Sequence, residues 1–217
     1  MFRLAHKYLS ATDWISEVAF AVFMVIIING YVALSNLNTG FLYIVVVNVG
    51  ACFGWGFIDG FIYFVSSSIT RNSNRQLVDK IKRKPGSVQE TDLDQALDDT
   101  IFEALDRSGK DAVLKDFTQH LPTVEVESDR VITRDEALGW LSIVLIYMSV
   151  GFVLAIPFLV IPDKIAAWFI SNGIGTVWLF WFGVQMGKSI GKYRLGLGLV
   201  MASLGLSFLG LSYLAWT

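Results

Sequence analysis

Between Val18 and Ser68 the chain carries one charged residue, Asp59, and between Ala137 and Thr217 it carries only Asp163, Lys164, Lys188, Lys192 and Arg194. Charge-free runs of this length constrain a chain severely. A water-soluble element needs a charged or polar face, whereas a helix crossing a bilayer needs ~20 consecutive, mostly apolar residues. Five runs qualify: residues 15–34, 41–65, 137–160, 165–186 and 195–216. The first holds Glu17 near its start and the second holds Asp59. The first is too long for the core of a signal peptide and lacks a following small-residue cleavage site. None shows the ~10-residue alternating pattern of a membrane β-barrel.

Composition agrees: 54% of the 217 residues are hydrophobic and 17% are charged, against ~25% charged in a soluble domain. An ordinary soluble enzyme is excluded, and so is a nucleic-acid binder, which would carry a basic stripe. The single cysteine, Cys52, supports neither a disulfide framework nor a thiolate cluster. Inside an apolar run it reads as a small buried hydrophobe. The predicted fold is therefore all-α: a polytopic membrane protein with five transmembrane helices. Spans one and two occupy residues 1–69, a small helical domain residues 70–136, and spans three to five residues 137–217.

Lys and Arg collect on the cytoplasmic side of membrane proteins. Here all but one of the 17 fall at the N-terminus, in the 70–136 segment or in the loop after the fourth span; the exception is Lys164. This bias predicts a cytoplasmic N-terminus and middle domain, with the C-terminus on the opposite side. Residues 71–84 are basic and are expected to continue the second helix out of the membrane, where anionic head groups attract them.

Pro85-Gly86 breaks the chain, and Ser87 with Glu90 matches a capping box. Leu93, Leu97, Ile101 and Leu105 then form the apolar stripe of an amphipathic helix, which Ser108-Gly109 is expected to end. A second short helix is expected over 110–121, stopped by Pro122, with an extended stretch over 123–131. The first of these helices is dense in acids: Glu90, Asp92, Asp94, Asp98, Asp99, Glu103 and Asp106, with no Lys or Arg among them. Like charges at helical spacing repel, and a hard divalent cation, which prefers oxygen ligands, relieves that repulsion; a plain solvated acidic face is the alternative. Asp92, Asp94, Asp98 and Glu103 fall on EF-hand spacing. However, Ala96 and Leu97 stand where that loop needs an oxygen ligand and a glycine.

An ionisable residue within a span is functional by default. Glu17 and Asp59 both fall in the cytoplasmic half of their spans, at a depth where they can face each other. Two converging carboxylates offer oxygen ligands to a divalent cation and can exchange protons. Otherwise Glu17 is a helix-start acid stabilised by the dipole. Met24, Asn29 and Asn48 can line the same path, or simply pack and hydrogen-bond between helices. His6 and His120 form no metal pair, and no nucleophile motif or phosphate loop is present. No enzymatic activity and no cofactor are expected.

Five spans with an acidic domain between the second and third form an uncommon plan. The closest likeness lies in residues 151–162, with Pro157 and Pro162, followed by Asn172, Thr176 and residues 178–183 ending in Gly183. Residues 54–63, around Asp59, and the polar 66–76 stretch add to it. In these features the chain resembles the vacuolar iron transporter family. The resemblance implies proton-coupled export of Fe²⁺ or a related divalent ion from the cytosol by a homodimer. The metal would be a substrate, collected by the acidic domain and passed between the first two helices. It also implies a metal-contacting role for Asp59, where the family often has methionine, and places Glu17 near an intramembrane acid. Aspartate in place of methionine favours harder ions such as Mn²⁺.

Small residues at Gly187, Gly191, Gly198, Ala202, Gly205 and Gly210 permit close helix approach. They serve either a dimer or packing within one chain. Two other readings remain open: a cation channel, and a membrane scaffold whose Leu93–Leu105 stripe docks a protein partner.

Overall fold

The computed structural model describes residues 7–35, 40–83, 105–120 and 133–216. Among these residues there are six helices and no strand: α1 (Ala11–Ser35), α2 (Phe41–Arg83), α3 (Arg107–His120), α4 (Arg134–Val160), α5 (Lys164–Ile190) and α6 (Arg194–Trp216). Five of them, all but α3, are long and apolar enough to cross a membrane, as the five apolar runs predict. The chain divides into two compact units, residues 1–64 with 134–217, and residues 65–133.

The first unit is a helical bundle. Its centre is made by Ala21, Val22 and Val25 of α1, Cys52 of α2, Ile143, Tyr147 and Leu154 of α4, and Leu179 of α5, all fully buried. Cys52 is thus the buried hydrophobe its surroundings in the sequence predict. Large apolar side chains cover the outside: Phe53, Phe57, Ile58, Phe61 and Ile62 of α2 are all about half exposed. A continuous apolar exterior of this kind is unfavourable in water and suits contact with lipid tails.

Within lipid, helices are not driven together by water release, so close packing of small residues does the work. A Cβ on Gly183 would lie 2.8 Å from the Gly198 Cα, and one on Gly187 would lie 2.6 Å from the Arg194 Cα. Gly205 packs on Leu179 and Thr176. These glycines therefore close α6 onto α5 inside one chain. Gly191 ends α5 in the left-handed conformation (φ 79°), its N–H donating to the Lys188 carbonyl at 3.1 Å. The Asp163 carboxylate caps the start of α5, accepting from the Ile165 and Ala166 amides at 2.8 and 3.2 Å.

In the second unit α2 continues without a break to Arg83, as the basic stretch predicts. The acidic helix is not extended to Ser108-Gly109. Leu105 and Asp106 are non-helical, and α3 begins at Arg107. The reason is local: Asp106 Oδ1 accepts the Gly109 N–H at 2.8 Å, a side-chain cap that favours starting a helix at this point. Gly109 thus belongs to the first turn of α3. The expected extended stretch over 123–131 lies outside the described residues.

Candidate functional site

Helix α1 opens with a reciprocal cap. Ser10 Oγ accepts the Asp13 N–H at 3.1 Å, and Asp13 Oδ2 accepts the Ser10 N–H at 3.3 Å. Glu17 therefore stands well past the first turn, where the helix dipole has faded, and a helix-start role does not account for it. It is half-buried on α1.

On α2, Asp59 is likewise half-buried, with Gly56 and Gly60 close by in the sequence. A Cβ on Gly56 would lie 2.7 Å from the Tyr147 Cβ and 3.2 Å from the Val144 Cα. A Cβ on Gly60 would run into the Trp140 ring and lie 2.9 Å from the Trp140 carbonyl oxygen. The absence of side chains at these two positions lets α2 lie directly on α4. The Trp140 indole N–H fixes the contact by donating to the Phe57 carbonyl at 3.2 Å. On the other side of the same interface, Gly139 admits the Tyr63 ring and Gly151 admits Cys52.

This packing delivers Asp59 to Tyr147. The fully buried Tyr147 donates its hydroxyl to Asp59 Oδ2, and the Glu17 carboxylate of α1 lies near enough to both groups to interact with them electrostatically. Two carboxylates from different helices thus lie near one phenol supplied by a third. No Lys or Arg occurs between Asp13 and Thr70, or within α4 after Arg134. The cluster is an acidic point in an apolar bundle, able to hold a proton between its members or to face a cation. Among the described residues no three His, Cys, Asp or Glu gather in one place. A divalent ion held here would complete its shell with water, as hard cations do.

The other residues singled out from sequence fall as follows. Asn29 and Asn48 are buried and bonded to each other, Asn48 Nδ2 donating to Asn29 Oδ1 at 2.8 Å. Met24 is half-buried on α1. Asp106 serves as the cap of α3. Glu90, Asp92, Asp94, Asp98, Asp99 and Glu103 lie outside the described residues, as do Leu93, Leu97 and Ile101 of the apolar stripe.

Tyr147 and Ser171 escaped the sequence reading, and Asn172 entered it only through the resemblance, without a role. Tyr147 sits in an apolar run where a tyrosine reads as packing; the signal available was Gly139 and Gly151 on the same helix, which mark a face approached closely by another helix. An apolar cavity of about 440 Å³ between α1, α4 and α5, lined by Trp14, Ile146, Val153, Trp178 and Trp181 among others, carries no charged group and offers nothing to an ion. Comparison with protein-family models and with curated proteins finds no match to either.

Proposed function

We propose that the protein carries a divalent cation across a membrane and that Glu17 and Asp59, with Tyr147, form its intramembrane binding point. The observation that carries this reading is the Asp59 carboxylate bonded to a buried phenol with the Glu17 carboxylate close enough to interact with it, in spans that supply no cationic side chain to neutralise them. A carboxylate pair in an apolar bundle is expensive to maintain, and a carrier of cations or protons uses it. Lys and Arg bias supports a cytosolic position for the N-terminus and the 65–133 unit, and hence export. The acids from Glu90 to Glu103 then gather ions on the cytosolic side. The resemblance to vacuolar iron transporters points to the same class of cargo, to proton coupling and to a homodimer. Oxygen ligands favour Mn²⁺ and Fe²⁺ over softer ions.

The test is uptake of Mn²⁺, Fe²⁺ and Co²⁺ into proteoliposomes with and without a pH gradient. Flux that depends on the gradient supports an exchanger, flux indifferent to it a channel, and no flux of any divalent ion in either case rejects the reading.

A further inference from the structure

A second polar level crosses the same α1–α2 interface. Asn29 lies twelve residues after Glu17 on α1, and Asn48 eleven before Asp59 on α2. At ~1.5 Å per residue, roughly 17 Å separates the two levels. Fully buried apolar side chains, Ala21, Val22, Val25 and Cys52, fill the interval.

The hydrogen bonds of this level have only one possible direction. The Leu154 carbonyl can only accept, so the Ser171 hydroxyl, 2.6 Å away, donates to it. Ser171 Oγ must then accept from Asn29, which fixes the Asn29 amide nitrogen on that side at 2.9 Å. The Asn29 oxygen therefore faces Asn48 and takes its amide N–H at 2.8 Å. The Trp168 indole locks the backbone in place, donating to the Asn29 carbonyl at 3.1 Å. Asn172 Nδ2 is likewise committed, to the Trp168 carbonyl at 2.8 Å. What remains is Asn48 Oδ1, an acceptor on a residue with no exposed surface and, among the described residues, no hydrogen-bond partner. A bare amide oxygen within an apolar bundle is unfavourable by a few kcal/mol. The Asn29 amide nitrogen, the Ser171 hydroxyl and the Trp168 indole are committed elsewhere, and turning the Asn48 amide over would set its oxygen against the Asn29 oxygen.

We propose that this level is a second station on the route of the cation, at which Asn48 Oδ1 replaces part of the ion's hydration shell. The inference rests on the transport reading. A neutral amide oxygen binds a divalent ion weakly, whereas the carboxylate pair binds it strongly; a weak station after a strong one lets the ion leave.

The experiment measures Mn²⁺ flux in proteoliposomes, together with Mn²⁺ binding to the whole protein in nanodiscs, for wild type, Asn48→Leu and Asn48→Asp. Asn48→Leu is expected to lower maximal flux at least tenfold, with Mn²⁺ affinity and half-saturating concentration unchanged within twofold. Asn48→Asp adds charge to the same oxygen and is expected to trap the ion, lowering the half-saturating concentration at least fivefold and slowing turnover. If Asn48→Leu does not assemble, the aspartate variant decides: an unchanged half-saturating concentration overturns the station. Wild-type flux in Asn48→Leu overturns it too, while leaving the carboxylate site standing. Absence of flux in the wild type removes the transport reading and the station with it.

Discussion

Replacing Asp59 by asparagine keeps the shape of the side chain and removes its charge, and the structure sets what each change is worth. The Tyr147 hydroxyl still finds an oxygen to donate to, so a charge-assisted hydrogen bond becomes a neutral one, a loss of about 1 kcal/mol. Against this, a carboxylate within a span is unfavourable by ~2.5–3.5 kcal/mol where its charge is not balanced, and asparagine relieves most of that. Stability should therefore hold or rise, by up to about 2 kcal/mol, or a few degrees in unfolding temperature. Cation binding moves the other way. One unit of charge lost at ~4 Å from a cation, at an effective dielectric of ~20, is about 4 kcal/mol, or close to three orders of magnitude in affinity. The assay is Mn²⁺ flux into proteoliposomes across a wide concentration range, paired with thermal unfolding in detergent. Wild-type flux at every concentration would refute the central role of Asp59. A variant that unfolds well below wild type would refute the desolvation argument.

Other expectations follow from the packing and the chain's plan. Gly56→Ala, which forces a methyl against the Tyr147 Cβ and the Val144 backbone, should destabilise by ~1–3 kcal/mol. Gly50→Ala, with nothing within 4 Å, should be neutral or stabilising by up to ~1 kcal/mol; unfolding midpoints of the two variants check the contrast. A cysteine replacing Ser108, exposed at the start of α3, should resist labelling by impermeant reagents outside intact cells; buried Cys52 supplies no background. Labelling at position 108 would overturn the inferred orientation. Asp99→Asn combined with Glu103→Gln should reduce uptake at low cation concentration and leave saturated flux unchanged, and a fall in saturated flux would give those acids a larger role than gathering ions.

Helix positions were legible in the sequence because lipid imposes a single requirement, apolar length, that can be read without knowing the fold. The nearness of Glu17 and Asp59 was expected in the sequence from the Lys and Arg bias, which predicts that both acids fall toward the same end of their spans. Tyr147 was not legible, since its role depends on which face of α4 meets α2, and a glycine pattern becomes a contact only when its partner is known. The capping role of Asp106 was not legible for a different reason. A run of carboxylates looks alike in composition whether a member binds a cation or caps a helix, and only the Gly109 amide beside it distinguishes the two. Gly187, Gly198 and Gly205 illustrate the same ambiguity; in the structure they pack α5 and α6 of one chain together.

The seam between α2 and α4, where Gly56 and Gly60 lie flat against Tyr147 and Trp140, also governs how the bundle responds to temperature. Cores assembled by the release of water weaken as they cool, because that driving force fades. The α2–α4 seam is held by dispersion between atoms at contact distance and by the indole hydrogen bond to Phe57, and these attractions are enthalpic. Cooling therefore leaves the seam closed, and what slows in the cold is any motion that must part the two helices.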